Sequence, residues 1–155
     1  LLETVAQEKK YAFISTGMST LNDIAKAVKI FRKHKCPFEL MHSHSTYPMP
    51  PEEANLKLIP FLAKKFHCKV GYSGHEAAAT NISIPAILLG ATSIERHVTI
   101  DRTAFGHDQA ASLEPKGLMQ LMRDVRIVDK ILGDGKKRVW KSEIDTRKKL
   151  RQKFV

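Results

Sequence analysis

Apolar positions recur along this chain in two alternating rhythms. Tyr11-Ala12-Phe13-Ile14-Ser15 reads as a short strand closed by a turn at Thr16-Gly17. Beyond the turn, Leu21, Ile24, Ala25, Val28 and Phe31 repeat at helical spacing, with Ser19 or Thr20 placed to cap the helix. Phe38 to Ser43 is a second strand. A proline-bracketed loop, Tyr47-Pro48-Met49-Pro50-Pro51, then leads into a helix expected over 52–66. Lys69 to Ser73 and Thr92 to His97 are the third and fourth strands. Between them an apolar helix is expected over 77–89, although a proline such as Pro85 costs about 3 kcal/mol in a helix interior. A polar loop runs to Ser112. The last helix, over 113–132, carries Leu118, Leu121, Met122, Val125, Val128 and Leu132 on one side and stops at Gly133-Asp134-Gly135.

Four strand–helix units at a spacing of roughly 25–30 residues predict a parallel α/β domain. The pattern leaves two architectures open, an open four-stranded sheet or half of an eight-unit barrel. The 155 residues are 43% hydrophobic and 27% charged, an ordinary globular composition that excludes collagen-like and wholly disordered chains. The longest apolar run, 82–91, is interrupted by Ser83, Pro85 and Gly90. It falls short of the roughly 20 residues of a membrane span, so no membrane partner is expected. Leu1-Leu2-Glu3-Thr4 has no initiator methionine and reads as a helix entered part-way, which suggests a piece of a longer protein.

The net charge of +10 is a property of the tail: residues 136–155 hold +7 of it and residues 1–135 only +3. Lys136-Lys137-Arg138, Arg147-Lys148-Lys149 and Arg151 read as a solvated linker or helix, with a nucleic-acid-binding tail as the alternative. Cys36 and Cys68 share no metal-ligand or redox spacing and suit a reducing, cytoplasmic setting.

Polar residues gather at the carboxyl ends of the four strands, where either architecture binds its ligands. These ends read Ser15-Thr16-Gly17, His42-Ser43-His44-Ser45-Thr46-Tyr47, Tyr72-Ser73-Gly74-His75 and Glu95-Arg96-His97. If the third and fourth strands are neighbours, their ends lie roughly 5 Å apart. His75 and His97 could then share a divalent ion with open positions for substrate and water; otherwise each is a hydrogen-bonded loop histidine. Ser15, Ser45 and Ser73 could offer hydroxyls to an anion or simply cap the following helices. Glu95 shares a strand face with His97, and either binds sugar hydroxyls or pairs with a nearby Lys or Arg. Asp108 reads as a turn residue, and Tyr47 as packing or a substrate wall.

Taken together, the runs STGMST (15–20), MHSHSTYPMP (41–50), VGYSGHE (70–76), GATSIERHVTIDR (90–102) and DQAASLEP (108–115) resemble the sialic acid synthase family, the phosphoenolpyruvate-condensing nonulosonate synthases. The resemblance covers nearly the whole chain and implies a partial TIM-type (β/α)8 barrel, with these four units as strands five to eight. Residues 1–135 would be the C-terminal half of the barrel, and 136–155 a linker towards an antifreeze-like domain. By motif, His75 and His97 match metal ligands, usually for Mn2+, with Co2+ or Mg2+ also compatible. Ser15, Ser45 and Ser73 match contacts to phosphoenolpyruvate. Tyr47, Glu95 and Asp108 match positions beside an acyclic amino sugar, Glu95 and Asp108 in catalytic roles. At position 45 many members carry Asn, so the shorter Ser45 reaches less far. Gly74, where others carry Asp, fits a subset of the family.

The implied activity is a transferase of carbohydrate biosynthesis. It condenses phosphoenolpyruvate with N-acetylmannosamine or a related amino sugar, in a homodimeric full-length enzyme. The chain alone is expected to be inactive. A basic nucleic-acid-binding module is the alternative from another class, and a Schiff-base aldolase a third. No lysine stands at the four strand ends to support the last of these.

Overall fold

The computed structural model describes residues 1–151. All four expected strands form: β1 (Ala12–Ser15), β2 (Phe38–Ser43), β3 (Lys69–Gly74) and β4 (Ile94–Arg96). They pair in parallel in the order β1-β2-β3-β4. Each strand therefore lies beside its successor in the chain. Right-handed crossovers then place every connecting helix on the same face, whereas a doubly wound sheet reverses its order and has helices on both. The order settles the open alternative in favour of a curled barrel wall.

Strand alternation divides the side chains between the two faces. Leu40, Val70 and Tyr72 face the helices and bury against Ile24 and Val28 of α2 (Leu21–Lys33), Ile59, Leu62 and Phe66 of α3 (Leu58–Phe66), and Ala86 of α4 (Ser83–Leu88). Each such large apolar side chain contributes about 1.5–3 kcal/mol by leaving water. A second cluster of Ala6, Phe31 and Cys36 pins α1 (Leu2–Gln7) to α2. The opposite parity lines the inner face, and at the carboxyl ends of the strands it is polar: Ser15, Ser43, Ser73 and Glu95.

Thr20 is the cap of α2. Its hydroxyl accepts from the Asp23 amide and the Asp23 carboxylate accepts from the Thr20 amide, a reciprocal capping box.

Two expected helices are shorter than the apolar pattern suggests. Over 52–66, a 3-10 turn at Pro51–Glu53 is followed by Asn55 at φ 41°, and only Leu58–Phe66 is α-helical. Over 77–89, only Ser83–Leu88 is helical. Pro60 and Pro85 explain both starts: each lies in the first turn of its helix, where the missing N–H has no intrahelical partner to lose. The last helix, α5 (Pro115–Leu132), begins two residues later than expected. Leu113 instead bridges to Val98, and its amide donates to the His97 carbonyl at 2.8 Å. That bridge extends the inner wall beyond β4 and carries His97. The basic segment forms a turn at Lys141–Glu143 and the exposed helix α6 (Ile144–Leu150); residues 152–155 lie outside the described residues.

Candidate active site

The strand ends bring the sequence candidates into two adjoining groups. The first surrounds Gly17. Ser15 Oγ lies 2.9 Å from Ser43 Oγ across the β1–β2 pair, and the Gly17 amide donates to Ser15 Oγ at 3.4 Å. A Cβ on Gly17 would stand 2.4 Å from Ser45 Oγ, 3.1 Å from Ser43 Oγ and 3.7 Å from Ser15 Oγ. Three hydroxyls thus ring a backbone position with no side chain of its own, a shape suited to an oxyanion. Ser43 was not among the sequence candidates, but it shares the parity of Ser15 and is in register with Ser73, which was the available signal.

The second group is aromatic. The His75 and His97 ring centroids are 5.2 Å apart in an edge-to-face arrangement. Tyr47 stacks on His75 at 4.1 Å and meets His97 edge-on at 5.5 Å. His75 Nδ1 donates to the His44 carbonyl at 2.5 Å, so its Nε2 holds the free lone pair and accepts from the Tyr47 hydroxyl at 3.2 Å. Burial pushes the His75 imidazole below an ordinary histidine, and the charge of His97 adds to this against the hydrogen bond to His44. His75 therefore stays neutral, the form in which it can ligate a metal. Asp108 Oδ2 lies 3.7 Å from His97 Nδ1, a charge contact longer than a hydrogen bond.

Ser73 donates to Glu95 Oε1 at 2.8 Å, so Ser73 joins the carboxylate and not the serine ring. Glu95 makes no ion pair with Lys or Arg among the described residues, which leaves its other oxygen free for a ligand. Tyr47 is raised above an ordinary tyrosine by burial and by the charges of Asp108 and Glu95, and so remains a neutral donor.

Among the described residues no three His, Cys, Asp or Glu side chains converge on one point. Two neighbouring imidazoles, that of His75 with its Nδ1 engaged by the His44 carbonyl, nevertheless suit a divalent ion that takes its other ligands from substrate and water. The donor set fits such an ion and does not fit a closed structural zinc site.

Behind this inner face stands a buried network that the sequence reading missed. Glu76 accepts from Arg96 Nη1 at 3.0 Å, from the Tyr72 hydroxyl at 2.9 Å and from Ser83 Oγ at 3.3 Å. The signal was available in the alternation: Arg96 follows inward-facing Glu95, so it must turn towards the apolar helix side, where a charge needs a partner.

Residues 1–137 match the NeuB family. The chain belongs to that family. It is 37% identical over 155 residues to the mouse N-acetylneuraminate-9-phosphate synthase, covering 99% of this chain and 43% of that one. It is 39% identical over 145 residues to the N,N'-diacetyllegionaminic acid synthase of Campylobacter jejuni, covering 92% and 43%. Among solved structures, the sialic acid synthetase of Leptospira borgpetersenii, crystallised with citrate, superimposes with a TM-score of 0.81 at 40% identity. That superposition covers 98% of this chain and 54% of the other. This NeuB-family chain is a partial TIM-type barrel, and it spans less than half the length of the curated relatives it matches. No helix among the described residues is long and apolar enough to cross a membrane.

Proposed function

We propose that this chain supplies half of the active site of a nonulosonate synthase, a transferase that condenses phosphoenolpyruvate with N-acetylmannosamine or a related amino sugar. The observation that carries this reading is the adjacency on one polar barrel face of the Ser15–Ser43–Ser45 ring and the His75–His97 pair.

In this reading the serine ring and the Gly17 amide hold the phosphate or carboxylate of phosphoenolpyruvate and align it, an orientation effect. His75 and His97 hold a divalent ion, Mn2+ by family resemblance and Co2+ or Mg2+ by donor chemistry. Bound there, that ion supplies Lewis-acid polarisation of an aldehyde oxygen. Tyr47 covers His75 and walls the sugar side. Glu95, steadied by Ser73, and Asp108, beside His97, accept hydrogen bonds from sugar hydroxyls. The methylene carbon of phosphoenolpyruvate forms the new C–C bond to the sugar aldehyde. Water adds at the resulting cationic carbon, and inorganic phosphate leaves by C–O cleavage. Residues 136–155 link this half-barrel towards an antifreeze-like domain of a homodimeric cytoplasmic enzyme, and the isolated chain is inactive.

A manganese titration followed by electron spin resonance tests the reading. Saturable binding near one ion per chain, lost in His75→Ala and in His97→Ala, is expected. Phosphoenolpyruvate should bind to the same chain and be lost in a Ser15→Ala/Ser43→Ala variant. A folded chain that binds neither would overturn the proposal, and full synthase activity from the 155-residue chain would overturn its last clause.

A further inference from the structure

We propose that Arg96 is a positioning residue for the paired imidazoles: with Glu76 it sets the separation and mutual orientation of His75 and His97. This inference rests on the reading of those histidines as a ligand pair. The β3–β4 ladder ends at Gly74↔Arg96, one residue short of each histidine. Past that point no strand pairing holds the two rings in relation to each other. The Arg96–Glu76 contact begins where the ladder stops, and its two members are the chain neighbours of His97 and His75.

The guanidinium is built into its surroundings. Both side chains are 2% exposed. Besides Glu76 Oε1, Arg96 Nη1 donates to the Ala78 carbonyl at 2.9 Å and the Ala79 carbonyl at 3.3 Å. Nη2 donates to the Glu76 carbonyl at 2.5 Å and to the Ala111 carbonyl at 3.4 Å. One planar group thus gathers the loop after His75 and the turn that follows Asp108. The Ser112 hydroxyl closes that turn on the Asp108 carbonyl at 2.8 Å. A Cβ at Gly74 would stand 2.6 Å from Glu76 Oε2 and 2.9 Å from Arg96 Cδ, so the pair packs directly over the bare backbone of Gly74. Lysine carries the charge but lacks the fork that reaches both loops.

The test compares the full chain with Arg96→Met, Arg96→Lys and Glu76→Gln. Leu62→Ala, in the α3 core and without contact to Arg96 or Glu76, serves as the control for general loosening. Ring-proton and ring-nitrogen resonances of His75 and His97 are followed by NMR, and Mn2+ affinity by electron spin resonance. Arg96→Met should displace both sets of resonances, leave those of His34 unmoved, and weaken Mn2+ about tenfold or more, the scale of outer-sphere substitutions at metal sites. Glu76→Gln and Arg96→Lys should do the same to a smaller degree. Leu62→Ala should leave the resonances in place.

Arg96→Lys keeps a cation beside Glu76, so it reports the effect even if Arg96→Met does not fold. Unmoved resonances in folded Arg96 and Glu76 variants would overturn the inference, and so would equal displacement by Leu62→Ala. If wild type binds no Mn2+ while the Arg96 variants still displace both rings, the metal reading fails and the positioning role stands.

Discussion

The Tyr47 ring lies on the His75 imidazole at 4.1 Å, and its hydroxyl donates to the one nitrogen of that ring with a free lone pair. A ligand for His75 Nε2 must therefore displace the Tyr47 hydroxyl. That hydrogen bond favours the neutral imidazole, in the same direction as burial. Tyr47→Phe keeps the stack and removes the donor. His75 should then titrate at higher pH than in wild type, closer to the ordinary histidine value of about 6.5. An NMR titration of the His75 ring proton checks this, and an unchanged midpoint would show that the hydroxyl plays no part.

Gly17 presents the opposite situation, a place where nothing protrudes. Its φ is not in the left-handed region, so alanine meets no backbone strain there. The added methyl would nevertheless stand 2.4 Å from Ser45 Oγ and close the ring of hydroxyls. Gly17→Ala should leave the unfolding free energy within about 1 kcal/mol of wild type, as side-chain tips can rotate aside. It should weaken phosphoenolpyruvate more than Ser45→Ala, which removes one donor and opens space. Calorimetric titration of phosphoenolpyruvate into both variants decides the order. The reverse ranking would mean that Ser45 contacts the anion and Gly17 does not shape its seat.

The strands and the histidine pair were legible in the sequence because alternation and strand-end position are local properties. His75 and His97 follow the ends of neighbouring strands, and the ladder brings those ends side by side. The helices over 52–66 and 77–89 were overextended because apolar content continues through 54–57 and 77–82, while Asn55 and the two prolines decide where the helices begin. The Ser15–Ser43 contact and the Glu76–Arg96 pair lie 28 and 20 residues apart in sequence. No local pattern encodes such meetings. Only the parity of Ser43 and the outward turn of Arg96 pointed towards them.

The basic tail should be separable from the site. Its helix α6 is exposed along its whole length, and Arg138 stacks on Trp140 with 4.9 Å to the ring centroid, a contact within the tail itself. Deleting residues 136–155 removes +7 of the +10 net charge. Retention on a phosphate or heparin matrix should fall sharply with that deletion, while the unfolding free energy from urea denaturation changes by no more than about 0.5 kcal/mol. Duplex DNA binding that survives physiological salt, with a steep salt slope abolished by the deletion, would revive the nucleic-acid reading.

Glu39 gives the chain an acid limit. It lies on the inner face at 3% exposure and accepts from the Ser93 hydroxyl at 2.5 Å, Thr92 at 2.6 Å and Tyr11 at 2.8 Å. These bonds tie β2 to the approaches of β4 and β1. Burial alone would raise its pKa, but the three hydroxyls and the charge of Lys69 outweigh it, so the folded value is lowered. A carboxyl with a depressed folded pKa stabilises fully above its unfolded value, about 4.3, and loses that stabilisation as pH falls through the folded value. Glu39→Gln removes the charge and keeps an acceptor. Wild type should exceed Glu39→Gln by about 2 kcal/mol at neutral pH, the scale of hydrogen bonds to a charged group. The gap should close progressively below the unfolded value. Urea denaturation of both proteins from neutral to strongly acidic pH measures it. A gap that stays constant with pH would mean that Glu39 contributes through its shape and not its charge.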